Sequence, residues 1–560
     1  MVSKLFRFIE REISGLHEAA YLLGFFALLS QLLGFLRDRL LASYFGAGQV
    51  LDIYYAAFRL PDFIFIWSAS MVSLSVLIPF LSKRREESKE SARRFLDSVF
   101  SAFFVLIVVL CALAFFFAPR LVVALFPGFD ASAAHDVTLL MRIMLLQPIF
   151  LGISNLFASV TQLERRFFVY AISPILYNIG LIIGVVFFYP NMGLPGLAWG
   201  VVLGAILHLS IQIPVIVRTG LLPRFRFFPD LKLLKEVLFI SLPRTLALSL
   251  QNITVLVLTA LGSLLGVGSI AIFNLSWNLQ SVPLSIVGAS YSLAAFPTLA
   301  GLWTKGDKET FIGTLSAAMR HIVFWSMPAL VLFVVLRAQI VRTVLGSGAF
   351  DWNDTRLTAA ALALFALSVV AQSITLLFTR AYYAAGKTHT PLFIALGGAT
   401  ITICCAFLFS AFFTSQPVVR YFLESLLRVS DLVGTEMLIL PLSYSLGTIA
   451  SAFVFWIIYG RDFQKFGLPV TRTFWQSFAA SIFMGAASYL LLNVFDTVFD
   501  LHTTLGIFLQ GLCAGLGGMI VGIFILYLLD NTEIREIWKT LHQRIWKAKF
   551  IGPDPTDTSF

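Results

Sequence analysis

The feature that most limits how this chain can fold is a succession of apolar stretches, each about as long as a bilayer is thick. A helix needs roughly 20 mostly apolar residues to cross the hydrocarbon core. Only structures that satisfy their own backbone groups survive there, because lipid offers no partner to a bare N–H or C=O. Fourteen stretches of the 560-residue chain qualify: 18–44, 50–82, 95–118, 137–162, 167–189, 194–217, 234–262, 268–301, 318–336, 357–382, 389–414, 436–459, 473–495 and 504–529. Pro61, Pro79, Pro174, Pro243, Pro283 and Pro297 fall inside them, where kinks or breaks are expected. Composition agrees: 58% apolar and 12% charged, against ~45–50% and ~25% in soluble proteins. That excludes a soluble globular chain and a disordered one. The expected class is an all-α polytopic membrane protein with about 14 transmembrane helices.

A net charge of +10 would suit nucleic-acid binding, but its distribution argues otherwise. With the N-terminus placed in the cytoplasm, 29 of the 40 Lys and Arg fall in cytoplasmic segments, 6 on the opposite side and 5 inside spans. Basic residues concentrate on the cytoplasmic side of membrane proteins. Both termini are therefore expected in the cytoplasm, with no nucleic-acid partner. The first apolar run is too long for a signal peptide and shows no cleavage site, so it reads as uncleaved.

No loop is long enough for a soluble catalytic domain, and no P-loop is present, so ATP is not expected as the direct energy source. No acidic or histidine cluster suggests an enzyme. Cys111, Cys404, Cys405 and Cys513 lie in apolar runs without metal spacing, and His208 and His321 stand singly. Neither a cofactor nor a metal is expected. Only 337–356, 415–435 and the tail after 530 have room for extra structure. The tail places Ile534, Ile537, Trp538, Leu541, Ile545 and Trp546 on one helical face, the pattern of an interfacial helix.

A weak internal repeat organises the spans. Phe45-Gly46-Ala47-Gly48 closes the first and Gly266-Val267-Gly268 the seventh, and each turn leads into a long span holding two prolines. The expected layout is a cytoplasmic segment (1–17), a lobe of spans 1–6 (18–217), a parallel lobe of spans 7–12 (218–459), an extra helix pair (460–530) and the interfacial tail (531–560). Two six-helix lobes around a central cavity is a common transporter plan.

Charge inside the bilayer costs ~2.5 kcal/mol or more, which makes every such residue a functional candidate. At ~1.5 Å per residue, Arg37 lies ~10 Å deep, Arg59 ~14 Å, and Arg244 and Asn278 ~15 Å. All four sit in the first two spans of a lobe. With Asp38 they form the candidate cavity set. Gln31, Asp52, Asp62, Gln251, Asn252, Asn274 and Gln280 supply polar company. Deep arginines outnumber deep aspartates, so the cavity should take an anion, and guanidinium forks suit phosphate or pyrophosphate. A second reading stays open: Arg37–Asp38 and Arg59–Asp62 as structural ion pairs, Arg39 and Arg142 as snorkelling residues near span ends, and Arg244 satisfying carbonyls freed by Pro243.

The stretch Gln31-Leu-Leu-Gly-Phe-Leu-Arg-Asp-Arg-Leu-Leu-Ala-Ser-Tyr-Phe-Gly-Ala-Gly48, followed by Asp52 and Ala57-Phe-Arg-Leu-Pro-Asp62, resembles the opening of the MurJ (MviN) family. The run Ser241 to Asn252, Phe273 to Pro283 and Phe296-Pro-Thr-Leu299 are similar to its second lobe. That family belongs to the multidrug/oligosaccharidyl-lipid/polysaccharide exporter superfamily and flips lipid II, the undecaprenyl-pyrophosphate-linked peptidoglycan precursor. The resemblance implies lobes that rock by alternating access and a groove for the lipid tail at spans 13 and 14. It carries over to Arg37 and Asp38 as the family's Arg-Asp pair, to Asp52 as an acidic position and to Arg59 as a basic one. Two departures stand out. Many members have an arginine-rich turn and a Glu-Gly late in span 2, where this chain has Ile64-Phe65-Ile66 and Ser68-Ala69-Ser70, and an Asp-Arg in span 8, where it has Trp277-Asn278.

The leading expectation is a lipid II flippase in contact with membrane lipids and cell-wall synthesis enzymes. Its energy source is an unidentified ion or the membrane potential, worth ~2.3 kcal/mol per charge per 100 mV. The alternatives are an exporter of another polyprenyl-pyrophosphate-linked glycan or of drugs, and a non-transporting cell-wall scaffold.

Overall fold

The computed structural model describes residues 16–71, 74–227, 230–463 and 467–546. Every element described is helical. The first ten helices used below are α1 (Leu16–Phe45), α2 (Gln49–Met71), α3 (Leu74–Glu87), α4 (Lys89–Leu125), α5 (Ala131–Met144), α6 (Leu146–Leu163), α7 (Phe167–Ile183), α8 (Leu194–Ser210), α9 (Leu231–Ser263) and α10 (Ser269–Pro283). They are followed by α11 (Ser290–Thr304), α12 (Lys308–Val335), α13 (Arg337–Leu345), α14 (Trp352–Ala366), α15 (Val369–Ala384) and α16 (His389–Ser415). The last are α17 (Pro417–Leu427), α18 (Ile439–Asp462), α19 (Leu468–Phe495), α20 (Thr504–Leu528) and α21 (Thr532–Trp546).

Among the described residues, 11 helices are long and apolar enough to cross a membrane, and 12 if α14 and α15 count as one broken span. These coincide with the third to fourteenth expected stretches. The two preceding stretches are helical too, but α1 carries Arg37, Asp38 and Arg39, and α2 carries Asp52, Arg59 and Asp62. The expected fourteen crossings are thus twelve by length and composition, plus two polar helices outside that count.

The prolines act differently from one another. Pro61, Pro119 and Pro174 sit within continuous helices. After Pro283 the backbone widens into a π-helical segment, Leu284–Ala289, before α11 resumes. A proline has no N–H to give and its ring crowds the preceding turn, and a wider turn is one way to absorb that.

Contacts divide the chain into two compact units: residues up to Leu279 with Val341–Phe365 and Lys387–Ser451, and Gln280–Ile340 with Ala366–Gly386 and Ala452 onward. In the first unit, Ile64, Leu77, Leu81, Phe95, Val99, Phe103 and Leu156 build a core between α2, α3, α4 and α6. Elsewhere in it, glycine replaces side-chain burial. A Cβ on Gly180 would sit 2.2 Å from Gly204 Cα, and one on Gly200 would sit 2.4 Å from Gly184 Cα. The spacings Gly180-x3-Gly184 on α7 and its continuation, and Gly196-x3-Gly200-x3-Gly204 on α8, therefore bring two backbones together. Such small-residue faces substitute for the hydrophobic drive that lipid removes.

In the second unit, α19 and α20 pack through Gly517 and Gly518, which face Leu491 and Ser488. Aromatic rings of Phe378, Tyr382, Phe455, Tyr459 and Phe463 stack between α15 and α18 and just beyond it. The tail helix α21 docks Ile534 and Ile537 on Phe324, Ala480 and Leu526. Arg320 pairs with its buried Glu533 at 3.0 Å. Trp538 is 71% exposed. Of the expected tail face, the Leu541, Ile545 and Trp546 side chains fall outside the described residues, as does all of 1–15.

The loops at 337–356 and 415–435 both contain structure: α13 in one and α17 in the other. The second is tied down by Arg356, which donates to both carboxylate oxygens of Asp431 at 2.6 and 2.5 Å.

Gly200→Leu should lower the thermal unfolding midpoint of the detergent-solubilised protein by several degrees or prevent its accumulation. Gly301→Ala, at a position with open space around it, should leave the midpoint unchanged; fluorescence-detected size exclusion after heating measures both.

Candidate functional site

The polar residues of α1, α2 and α10 meet inside the first unit. The meeting begins at the two glycine turns. Gly268 has φ +89, a backbone region favoured by glycine, and a Cβ there would lie 2.0 Å from the Ala47 carbonyl oxygen. The turn that closes the first span therefore packs directly on the turn that closes the seventh. Asp52, 4% exposed, fixes this arrangement. Its carboxylate accepts from Gly268 N at 2.6 Å and from Ala271 N at 2.8 Å. It thus caps the start of α10 from another helix, satisfying amides that the first helical turn leaves bare and placing negative charge at the positive end of the helix dipole.

From that cap the two helices run together. Position 274 follows 271 by three residues and 278 follows 274 by four, so all three share one face. Arg59 Nη2 donates to Asn274 Oδ1. Asn278 Nδ2 donates to Asp38 Oδ2 at 2.9 Å. The other Asp38 oxygen accepts from Arg37 Nε and Nη2 at 2.9 and 2.7 Å. Arg37 also reaches Asn178 Oδ1 on α7 at 3.3 Å, and Asn178 Nδ2 returns to Ser30 Oγ at 3.2 Å. Asp62 accepts from Gln147 Nε2 at 3.1 Å.

The two arginines differ in how much capacity is left. Arg37 is committed to a carboxylate and an amide. Arg59 Nε is buried without a hydrogen-bond partner among the described residues, as are Tyr55 Oη and Gln147 Oε1. Arg59 adjoins Tyr55 and Asp62, and Gln147 bonds Asp62. One unsatisfied atom of the guanidinium and two on side chains around it are therefore left over, two of the three being donors. Each costs ~1–3 kcal/mol if it stays bare, so hydrogen-bonding capacity remains there for water or a polar ligand.

The remaining candidates separate. Arg244 lies on α9, with its side chain outside the described residues. Gln251 bonds Tyr444, and Asn252 is half-buried on the same helix. Gln31 is half-buried on α1. Gln280 belongs to the second unit, where it accepts from Gln372 Nε2 at 3.1 Å. Arg39 donates at 2.5 Å to the Thr343 carbonyl near the end of α13, a stabilising place for a cation. Arg142 donates to the Phe115 carbonyl at 3.2 Å, the oxygen that Pro119 four residues on cannot satisfy.

Asn178, Gln147 and Tyr55 were not candidates from the sequence. Asn178 is the strongest polar residue inside the apolar run 167–189, and that isolation was the available signal. Gln147 precedes Pro148 at a helix junction, a pattern that does not indicate a partner 85 residues away, and Tyr55 sits beside a second tyrosine, which does not single it out.

A family model described as lipid II flippase MurJ matches residues 41–509. The lipid II flippase MurJ of Burkholderia cenocepacia is 25% identical over 386 residues, covering 67% of this chain and 75% of that protein. The probable lipid II flippase MurJ of Buchnera aphidicola subsp. Baizongia pistaciae is 25% identical over 481 residues, 84% of this chain and 88% of its own. Among solved structures, a lipid II flippase MurJ in an inward closed conformation matches with TM-score 0.73 at 22% identity, covering 92% of this chain and all (100%) of the other. An inward-facing multidrug resistance MATE family transporter of the MOP superfamily matches with TM-score 0.60 at 15% identity, covering 79% and 95%. At these identities the structural likeness speaks for the fold.

Removing the Asp52 cap should destabilise the fold. Asp52→Ala leaves two buried amides without acceptors, at a cost of ~1–3 kcal/mol each, and a lowered unfolding midpoint would register it. An unchanged midpoint would show that the cap does not hold α10.

Proposed function

The chain belongs to the lipid II flippase MurJ family, and from that membership we propose that it carries lipid II from the inner to the outer leaflet of a bacterial cytoplasmic membrane. The observation that supports a charged cargo most directly is Arg59, a half-buried guanidinium on α2 whose buried Nε has no hydrogen-bond partner among the described residues. A pyrophosphate would supply the missing acceptors, and guanidinium and phosphate match in charge and geometry.

In this reading Arg37, Asp38, Arg59, Arg244 and Asn278 line the cavity, and Gln31, Asp52, Asp62, Gln251, Asn252, Asn274 and Gln280 support it. Asp52 supports by positioning α10 rather than by touching cargo. The protein works without a cofactor and as a transporter rather than a catalyst. Two six-helix lobes alternate access, both termini face the cytoplasm, and the extra pair, α19 and α20, accommodates the polyprenyl tail. The membrane potential or an ion drives the cycle, and cell-wall synthesis enzymes are the natural partners.

A second reading has a specific observation behind it. Asn278 stands where many family members carry an arginine, and it holds Asp38 through a neutral amide. A site with one guanidinium fewer suits a cargo of lower charge, which favours another polyprenyl-linked glycan over a drug.

Two experiments test the proposal. In cells depleted of their own lipid II flippase, expression of this protein should restore lipid II exposure on the outer leaflet; no rescue at normal expression would overturn the assignment. Arg59→Ala should then cut the rescue at least about tenfold, the rate effect of ~1.4 kcal/mol, with folded protein undiminished. Arg37→Ala is the less clean variant, because it strips Asp38 of its countercharge and a buried unpaired charge is itself destabilising.

A further inference from the structure

A separate cavity lies at the other end of the first unit, on the side that the charge census assigns to the cytoplasm. Its volume is about 340 Å³, and Arg84, Arg94 and Arg226 line it together with Ser88, Ser91 and Ser98. None of these residues takes part in the cluster around Arg59.

Local structure explains why the groups converge. Ser88 caps α4, its side chain accepting from Ser91 N at 3.0 Å. Positions 91, 94 and 98 recur every three or four residues, so they share a helical face beside the positive end of the α4 dipole. The extended segment 221–226 crosses this face and is pinned to it. Arg224 N donates to Asp97 Oδ1 at 2.7 Å and Arg226 N to Ser101 Oγ at 2.7 Å. That fixes Arg226 opposite Arg94 and Arg84.

The guanidiniums there are loosely held. Arg84 meets Glu87 and Arg94 meets Glu90 at 3.4 Å each, and Arg226 lies 4.0 Å from Asp97. Glu90 and Asp230 also line the cavity, so basic lining residues outnumber acidic ones three to two, and guanidinium forks are natural ligands of a phosphodiester.

The rim identifies which phosphodiester. Phe225 is 45% exposed and Phe227 85%, and their rings pack edge to face at 5.3 Å on the same pinned segment as Arg226. Exposed phenylalanine rings beside basic residues fit the boundary between acyl chains and headgroups, and basic pockets between helices on the cytoplasmic side suit anionic headgroups. We propose that this cavity is a phosphodiester site that seats the headgroup of an anionic phospholipid of the adjoining leaflet, with Arg84, Arg94 and Arg226 as its ligands and Phe225 and Phe227 in the lipid interface.

The proposal is independent of the transported cargo and is tested on purified protein in neutral detergent at low salt. Short-chain dihexanoyl-phosphatidylglycerol should raise the thermal unfolding midpoint, whereas dihexanoyl-phosphatidylcholine should not. Arg84→Gln with Arg226→Gln should weaken the response roughly 25-fold, taking about fivefold per basic residue lost at a membrane surface. Arg94→Gln, an exposed side chain, gives a single-site version with no expected penalty to the fold. Arg461→Gln, a charge removed elsewhere, should keep the full response. Equal responses to the two lipids, or equal loss in the Arg461 variant, would overturn the site. A response to inorganic phosphate as large as that to phosphatidylglycerol would assign the cavity to free phosphate and overturn the lipid.

Discussion

The structure of the polar centre depends on one carboxylate. Asp52 sits on α2 but completes the start of α10, binding Gly268 N and Ala271 N. This fixes where α10 begins, and therefore which residues face α2 and α1 further along. Had α10 slid by one residue, its face would have turned by about 100°, and Asn274 and Asn278 would have left Arg59 and Asp38. Glycine at 268 is part of the same constraint, because the Ala47 carbonyl occupies the space that a side chain would need. The cap and the glycine turn together convert two sequence-distant helices into one polar ladder.

Along that ladder, charge is treated in two ways. Arg37 and Asp38 neutralise one another, and Asn178 and Asn278 take up hydrogen-bonding capacity on both sides. This is how a buried ion pair becomes tolerable: excellent geometry with the remaining groups satisfied. Arg59 is the opposite case. Its neighbour Asp62 is held by Gln147, its bond to protein is a neutral amide, and one nitrogen is left over. A satisfied pair rigidifies; an unsatisfied cation waits for a counterion. The same fold uses both, one turn or two apart, which separates residues that build the centre from those with capacity to bind.

Much of this was legible in the sequence, and the limits have physical causes. Apolar length gives the third to fourteenth helices, because burial in lipid requires it. Depth counting picked out Arg37, Arg59 and Asn278, and both glycine turns were visible as a repeat. The contact between those turns was not, since nothing in Phe45–Gly48 or Gly266–Gly268 specifies what lies opposite. Asp52 reads as polar company for the cavity and is a cap in the structure, because a carboxylate serves either role and only the position of the α10 amides decides. Gln280 follows Asn274 and Asn278 in the same polar run, yet it belongs to the second unit and bonds Gln372 within it. Asn178 was hidden because a lone amide in an apolar helix announces a partner without naming it. Arg39 and Arg142 were read as reaching for water and instead reach carbonyls at a helix end and above Pro119, which offer a guanidinium the same relief nearer at hand.

The departures from the family pattern acquire a meaning from this arrangement. An arginine at 278 would compete with Arg37 for Asp38 and leave the pair with surplus positive charge. Asn278 instead donates one neutral hydrogen bond and keeps the pair balanced. Ile64, in place of part of an arginine-rich turn, is buried in the core with Leu77, Phe95 and Leu156, so that end of α2 is committed to packing. With Arg37 paired to Asp38 and Arg39 bonded to backbone carbonyls, Arg59 is the arginine of the first two helices with donor capacity to spare among the described residues. In a low-dielectric setting one poorly screened guanidinium attracts an anion more strongly than one already paired. A guanidinium so placed, among amide and hydroxyl groups, would discriminate between anions by how many of those neutral groups each could satisfy at once.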